Sequence, residues 1–270
     1  MRATVISDNI GRGGLGGEWG LCVYIEYGER RILLDAGASG LFAENAEKLG
    51  LPLEAVDAAV LSHAHYDHAD GMARFFALNQ TAKLYVQEDT GEDCWHRRGF
   101  IRKYIGIRRG LLEEYRERIV PVAGPYRLFE GVSLLPHSTP GLAEIGRREA
   151  MYRRRNGRWT PDDFSHEQSL VLELPEGLAV FSSCSHGGAV NILREVSEAF
   201  QGRRVLALIG GLHLFNKKDE EVRALAALLR ETGVERVWTG HCTGERACGL
   251  LRQALGDAVR TFCAGCVIEL

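Results

Sequence analysis

The 270-residue sequence predicts an α/β fold, because short apolar segments alternate with segments whose apolar residues recur at helical spacing. In the first half, residues 58–62 are predicted to form a buried strand and residues 41–49 a helix. The second half, about 126–270, has a similar succession of strands and helices. This pattern predicts a single domain over 1–270, a pseudo-duplicated sandwich whose first half is about 1–125, with helices packed on its sheets.

The composition is that of a soluble globular protein and argues against several other classes. Hydrophobic residues make up 45% and charged residues 26%, and the net charge of −3 does not favour general nucleic-acid binding. No run of about 18 apolar residues predicts a membrane span. The apolar stretch at the start is too short for a signal peptide, and the seven cysteines are scattered, so we expect a cytoplasmic location and no disulfide framework.

Two further regions are predicted to be loops or lids. Residues 11–20 contain six glycines and are predicted to form a surface loop near a site. A phosphate cradle is not favoured there, because no Gly-Lys-Ser/Thr ending follows and the next element is a strand. Residues 88–118 are rich in Arg and Glu and are predicted to form a helix and a lid-like loop.

Four potential metal ligands follow the buried strand directly: His63, His65, Asp67 and His68. The alternation of His63 and His65 lets both imidazoles point to one side of an extended segment, whereas Asp67 and His68 turn the other way as a helix begins. One loop can therefore supply ligands to two adjacent metal positions. Imidazole and carboxylate suit zinc, iron, manganese or nickel, so these residues leave the metal open.

Two motifs indicate a known family. The segment Ser62-His63-Ala64-His65-Tyr66-Asp67-His68 resembles the signature loop of the metallo-β-lactamase superfamily, and Leu33-Leu34-Asp35-Ala36-Gly37 is similar to its preceding strand and supporting Asp. Further motifs resemble one subgroup, the proteins similar to dihydropterin-ribofuranosylaminobenzene 5′-phosphate synthase. These are Asn45, Ser183-Cys184-Ser185-His186-Gly187-Gly188 with Asn191-Ile192, Gly210-Gly211-Leu212-His213-Leu214, and His241-Cys242-Thr243-Gly244. The resemblance implies a four-layer αβ/βα sandwich with metals at one edge.

The resemblance also implies which residues hold the metals. His63 and His65 would hold one metal, and Asp67, His68 and His241 would hold the second. Asp35 would lie behind the histidine loop and fix the orientation of its imidazoles by hydrogen bonds.

The chain departs from the superfamily pattern at two places. A Thr-Pro-Gly-His run, which would supply a third histidine, is replaced by a run that ends in Leu142, and Cys184 stands where the bridging Asp is usual. Cys184 and His186 are the predicted substitutes, and His166 is the weaker alternative. A thiolate among histidines favours zinc or iron. We therefore predict one or two divalent transition metals, zinc first, with iron or manganese as alternatives.

Five arginines lie within nine residues, in a predicted insertion between two strands. Guanidinium groups with neighbouring aromatic residues suit a phosphorylated, planar substrate. Arg153, Arg154 and Arg155 are therefore predicted to bind substrate, together with His213 after a later strand. The alternatives are a solvated basic loop for the arginines and a packing role for His213.

These predictions lead to an enzyme. We expect a metal-dependent hydrolase in which a metal-bound water, oriented by Asp67, attacks an anionic, phosphorylated small substrate. The subgroup implies a transferase instead, which condenses a pterin-methyl diphosphate with an aminobenzene ribofuranosyl phosphate. A metal sensor, or a redox protein that uses Cys184 and iron, is a third possibility. Nucleic-acid and membrane partners are not expected.

Overall fold

The computed structural model describes residues 1–270, which form eighteen β-strands and eight α-helices. The strands are β1 (Arg2–Ser7), β2 (Cys22–Tyr27), β3 (Arg30–Leu34), β4 (Ala58–Val60), β5 (Lys83–Gln87), β6 (Cys94–Arg98), β7 (Ile101–Tyr104), β8 (Ile119–Val122), β9 (Tyr126–Phe129), β10 (Val132–Pro136), β11 (Met151–Arg155), β12 (Arg158–Pro161), β13 (Gln168–Leu174), β14 (Gly177–Phe181), β15 (Val205–Ile209), β16 (Arg236–Thr239), β17 (Val259–Thr261) and β18 (Val267–Glu269). The helices are α1 (Leu41–Lys48), α2 (Tyr66–Ala69), α3 (Met72–Leu78), α4 (Leu111–Glu114), α5 (Leu142–Arg148), α6 (Ala189–Ala199), α7 (Asp219–Glu231) and α8 (Glu245–Leu255). None of these helices combines the length and the apolar character that crossing a membrane requires.

Two seven-stranded sheets form the centre of the molecule. The first has the order β18-β1-β2-β3-β4-β5-β8, and the second has the order β17-β16-β15-β14-β13-β10-β9. Their inner faces bury a shared core that includes Ile25 from the first sheet and Phe181 from the second. Helices α1 and α3 cover the outer face of the first sheet, for example through Phe42 and Phe75, and α6, α7 and α8 cover the second. The predicted four-layer αβ/βα sandwich is confirmed.

The polar loops meet at one edge of the sandwich. Strands β3, β4 and β5 run parallel in the first sheet, and β14, β15 and β16 run parallel in the second. Asp35 follows β3, the histidine loop follows β4, Cys184 follows β14, His213 follows β15 and His241 follows β16. Because loops at the carboxyl ends of parallel strands converge on a shared crevice, segments far apart in sequence lie side by side here.

A third, four-stranded sheet with the order β12-β11-β6-β7 corrects the prediction for residues 88–118. Residues 94–104 form the hairpin β6–β7, not a helix or a loop, and the arginine-rich segment forms the hairpin β11–β12. Cross-strand aromatic contacts stabilise both hairpins: Trp95 packs edge-on against Tyr104 and Trp159, with centroids 5.2 Å and 5.5 Å apart. The local abundance of Arg and Glu hides these pairings in the sequence.

The small sheet has two different faces, because side chains alternate along each strand. On the outer face, the guanidinium groups of Arg97, Arg102 and Arg154 stack on the Trp159 ring at 5.4, 5.4 and 5.5 Å. The inner face carries His96, Lys103 and Met151. It is turned towards the edge of the sandwich where the polar loops meet, which is called the ligand edge below.

Candidate metal centre

Asp35 connects the end of β3 to the histidine loop. Its Oδ1 accepts a hydrogen bond from the Ser62 backbone N–H (2.7 Å), and its Oδ2 lies 2.8 Å from both the Ser62 hydroxyl and His68 Nδ1. A carboxylate only accepts, so both of these groups donate to it. The Ser62 oxygen is then left to accept from His63 Nδ1, 2.8 Å away. In both His63 and His68, Nε2 is therefore the nitrogen that is left to face a metal.

The first cluster of candidate ligands consists of His63, His65 and His186, whose ligand atoms all lie within 4.8 Å of one another. His186 Nε2 lies 3.3 Å from His63 Nε2. All three side chains are buried, and burial, reinforced by the neighbouring histidines, lowers their pKa values well below the usual value. They are therefore neutral imidazoles, the form that binds metal ions.

The second cluster consists of Asp67, His68 and His241. His68 Nε2 lies 3.2 Å from His241 Nε2, and Asp67 Oδ2 lies 3.8 Å and 3.6 Å from these two nitrogens. His241 Nδ1 is 3.0 Å from the side-chain amide oxygen Oδ1 of Asn9, an acceptor, so Nδ1 carries the proton and the Nε2 lone pair is left free. Two lone pairs that face each other at this distance repel unless a cation lies between them.

The electrostatics of the second cluster favour such a cation. Burial alone would lower the pKa of His68, but the carboxylates of Asp35 and Asp67 outweigh it and raise that pKa to about 9. Burial lowers the pKa of His241 to about 3 and keeps this ring neutral. A positive charge next to His68 Nε2 is therefore favoured, and a divalent metal held by His68 and His241 would supply it in place of the proton.

Cys184 lies between the two clusters. Its Sγ is 3.3 Å from His68 Nε2, and it forms a group of close ligand atoms with His63 and His68. Burial raises the pKa of the Cys184 thiol well above its ordinary value, so a nearby cation is needed to favour the thiolate. The structure thus brings both predicted substitutes, Cys184 and His186, to the histidine loop.

His166, the weaker candidate for the missing ligand, has a different role. The Ala64 backbone N–H donates to His166 Nδ1 (3.1 Å), so the ring proton is on Nε2, which lies 3.2 Å from Asp162 Oδ2. Neither nitrogen then offers a lone pair to a metal. His166 instead holds the backbone of the histidine loop. Leu142, in the place of the usual histidine, is buried in a small apolar cluster.

Sequence analysis does not single out three residues that orient the ligands: Asp8, Asn9 and Glu167. Asp8 accepts from the His241 backbone N–H (2.9 Å), and Asn9 contacts both the ring and the carbonyl of His241. The carboxylate of Glu167 accepts from the backbone N–H groups of His186 and the next residue, each at 2.8 Å. Asp8 and Asn9 could have been identified from the sequence as candidate site residues, because they directly follow a strand. Nothing near Glu167 in the sequence indicates that it contacts the backbone of His186.

Backbone strain is concentrated at the same edge. Of the eight non-glycine residues with positive φ, four lie here, namely Asp35, Ser185, His213 and His241, with φ between 47° and 59°. Such conformations cost of order 1 kcal/mol or more and cluster at functional sites, where the surroundings enforce them. The packing is equally tight at Gly211, where a Cβ would lie 2.4 Å from Cys242 Sγ.

A cleft of about 510 Å³ opens onto both clusters and onto Cys184. One wall is aromatic: Trp19 and Phe215 meet edge-on with centroids 5.4 Å apart, and the Trp19 ring lies 5.3 Å from the His241 ring. The inner face of the small sheet forms another wall. A cleft of this size fits a small molecule, with its polar ligand groups at one end.

Comparison with known proteins identifies the family. The model of the metallo-β-lactamase superfamily matches residues 16–183, more than half of the chain. The chain belongs to the metallo-β-lactamase superfamily.

Three similar proteins illustrate this membership. The chain is 26% identical over 262 residues to the 7,8-dihydropterin-6-methyl-4-(β-D-ribofuranosyl)-aminobenzene-5′-phosphate synthase of Methanocaldococcus jannaschii, with 89% of this chain and 85% of that protein covered. Tm1679, described as a metal-dependent hydrolase of the β-lactamase superfamily, is similar in structure with a TM-score of 0.86 at 28% identity, over 100% and 99% of the two chains. Zn²⁺-bound PqqB from Methylobacterium extorquens shares the fold, with a TM-score of 0.60 at 11% identity over 100% of both chains.

The predicted superfamily and the likeness to the synthase are therefore confirmed. The metallo-β-lactamase superfamily is one of enzymes that bind divalent metals, and two of the similar proteins are described as a synthase and as a metal-dependent hydrolase. The expectation of an enzyme is borne out as well. The cytoplasmic location and the small-molecule partner stay predictions.

Arg153, Arg154 and Arg155 are not among the residues that line the cleft. Arg153 is buried, and both it and Arg155 pair with the carboxylates of Asp89 and Asp93. Arg154 points to the opposite face of β11 and stacks on a tryptophan ring. Because the guanidinium groups of Arg153 and Arg155 are already paired, this geometry argues against the prediction that the three arginines bind substrate.

His213, by contrast, lines the cleft. Its ring centroid is 4.5 Å from that of His186 and 5.3 Å from that of Phe215. Its Nδ1 is buried without a hydrogen-bond partner. This position suits contact with a molecule in the cleft, and substrate binding by His213 stays a prediction.

Proposed function

We propose that this member of the metallo-β-lactamase superfamily is a metal-dependent hydrolase that acts on an anionic small molecule, with zinc as the favoured metal. The observation that supports it most directly is the pairing of free imidazole nitrogens. His63 faces His186 at 3.3 Å and His68 faces His241 at 3.2 Å, with Cys184 between the two pairs. Buried lone pairs held this close are the arrangement expected of metal ligands.

The donor set fits two divalent metals. The first cluster would hold one, the second cluster would hold the other, and Cys184 is within reach of both. Imidazole, carboxylate and thiolate together favour zinc or iron over magnesium, whose ligands are oxygens. Bound metals of this kind supply Lewis-acid polarisation of the substrate and activation of water near neutral pH.

Asp67 is the residue that we propose orients the attacking water and accepts its proton. It lines the cleft and lies beside both imidazoles of the second cluster. Burial raises the pKa of Asp67, and the neighbouring His68 offsets part of this rise. Asp35 and Asn9 would hold the two rings in place, so that the geometry is set before substrate arrives.

Elemental analysis and activity panels test this proposal. Purified protein should carry one to two transition-metal ions per chain, and it should hydrolyse at least one member of a panel of phosphoesters, lactones and thioesters. Removal of the metal by a chelator should abolish the activity, and zinc should restore it. A protein that binds neither zinc nor manganese when they are added would overturn the proposal.

The similarity to the synthase supports a second candidate, a metal-dependent transferase. In that case an aromatic carbon would displace diphosphate from a pterin-methyl diphosphate, and the ligand edge would neutralise the leaving diphosphate. Product analysis with and without an aminobenzene acceptor separates the two functions. Acceptor-dependent release of diphosphate favours the transferase, whereas acceptor-independent hydrolysis favours the hydrolase.

A further inference from the structure

Lys103 is the one lysine or arginine among the residues that line the cleft. Its ammonium group makes no ion pair and lies 5.8 Å from the centre of the Tyr66 ring. Its cross-strand neighbour on the inner face is His96. Burial and the nearby Arg98 and Lys103 lower the pKa of His96, so Lys103 carries the positive charge of this wall. A free cation in a cleft is a binding group for an anion.

Another part of the cleft wall is aromatic and partly open. Trp19 and Phe215 keep 42% and 47% of their surface exposed although they pack against each other at the mouth of the cleft. Large apolar side chains that stay exposed together at a cleft mark a place where a ligand completes the packing. Ile105 and Met151 add apolar surface on the side of the small sheet.

We propose that the cleft binds an aromatic anion, with its ring against Trp19 and Phe215 and its charged group on Lys103. The inference that the bond to be hydrolysed lies at the ligand edge rests on the proposed hydrolase function. The binding itself depends on the walls of the cleft and needs no metal. In this proposal the anion is bound by Lys103 of the hairpin β6–β7 and not by the arginines of the hairpin β11–β12, for which the sequence predicts that role.

The chain offers a matched control, because Arg102 and Lys103 are adjacent and point to opposite faces of β7. Arg102 stacks on Trp159 outside the cleft, whereas Lys103 lines it. Arg102→Gln and Lys103→Gln remove the same charge from the same hairpin. If only the overall positive potential of this hairpin attracts the anion, both substitutions should weaken anion binding equally. A hydrogen bond from Lys103 to the bound anion is lost only in Lys103→Gln.

Calorimetric titration with naphthalene-1-phosphonate, which has no ester bond to hydrolyse, tests the proposal on chelator-treated protein. Neutral 1-naphthalenemethanol serves as the uncharged probe. Because a hydrogen bond to a charged group contributes about 1.5–3 kcal/mol, Lys103→Gln should weaken phosphonate binding by roughly tenfold or more. Arg102→Gln should leave it within about twofold, and Trp19→Ala should weaken both probes.

Three results would overturn this site: no binding of the phosphonate to the wild-type protein, equal weakening by both charge variants, or no effect of Lys103→Gln. Metal content and ester hydrolysis are measured separately on the zinc-loaded protein. Binding that depends on Lys103 without any hydrolysis would leave the subsite standing and refute the hydrolase. The opposite result is that wild-type protein and Lys103→Gln both hydrolyse anionic and neutral aryl esters equally well. That result would support the hydrolase and refute the Lys103 subsite.

Discussion

The two ligand clusters differ in how firmly the protein holds them before any metal binds. In the second cluster, His68 donates to Asp35 and His241 donates to Asn9, so both rings are fixed from behind. In the first cluster only His63 has such support, through Ser62, whereas His65 Nε2 and His186 Nδ1 are buried without a partner. The second cluster also contains a carboxylate, and the first consists of imidazoles alone.

This difference indicates that the second cluster is organised in advance and that the first depends more on its metal. Outer hydrogen-bond partners fix ring orientation and raise ligand basicity. We therefore expect the second site to fill first as metal is added, and the first site to be the one emptied by mild chelation. Each of the following changes either removes or exaggerates the difference.

The largest effect is expected for His68→Ala, which removes a ligand from the better-organised cluster. Metal should be lost from the second site and activity should fall by well over the roughly 100-fold seen when only an outer partner is removed. Elemental analysis and hydrolysis assays measure both. His137→Ala is the matched control, since His137 is a buried histidine that belongs to neither cluster and lies 2.8 Å from the Glu195 carboxylate. A His68→Ala enzyme that keeps full activity and two metals would contradict the role given to His68.

A pH dependence should separate the clusters without any substitution. The pKa of His68 is raised from 6.5 to about 9, so in the metal-free protein its proton stabilises the fold fully below pH 6.5, and this contribution is lost as the pH rises through 9. The shift corresponds to roughly 3 kcal/mol. Denaturant unfolding at pH 6.5 and pH 9 should show this loss in metal-free protein and not in zinc-loaded protein, where the metal has replaced the proton.

The same proton competes with metal, so zinc affinity at the second site should rise across this pH window. The first cluster has pKa values lowered by burial, and its affinity should be nearly flat over the same range. Equal pH dependence for both zinc-binding steps would show that the two clusters do not differ in the way described.

An intermediate effect is expected for Asp35→Asn, which replaces the acceptor shared by His68 and Ser62. Metal affinity at the second site should fall by roughly 10–100-fold, with a smaller loss at the first site through His63. Asn9→Ala provides the comparison, because Asn9 supports His241 only. If both variants weaken the two sites equally, Asp35 does not have the central position inferred from its hydrogen bonds.

The smallest effect is expected for Cys184→Ser. If Cys184 ligates, one metal should bind roughly tenfold more weakly, and the thiolate-to-cobalt absorption band of cobalt-substituted protein should disappear. Cys248→Ser, at another mostly buried cysteine on α8, should change neither property. An unchanged cobalt spectrum in Cys184→Ser would show that Cys184 is only packed between the clusters.

The sequence predicts the parts of this site that depend on local spacing. The histidine loop lies in six consecutive residues, and Cys184 and His186 stand directly after a strand, so their positions follow from the alternation of strands and loops. Asn9 and Glu167 could not be assigned, because their partners are 232 and 19 residues away, and only the folded chain brings them together. For the same reason the arginines around residue 153 look free in the sequence, whereas Arg153 pairs with an aspartate 60 residues earlier.

The small four-stranded sheet contributes residues to the cleft wall that are distinct from the candidate metal ligands. Residues 94–104 and 151–161 contribute none of the side chains in either cluster, yet they supply one whole side of the cleft. Their outer face is held together by its own stacked arginine and tryptophan side chains. His96 and Lys103, which line the cleft from this sheet, can therefore be changed without removal of a metal ligand. The side chains that would contact a bound molecule from this sheet are thus different from the side chains that would hold the metals.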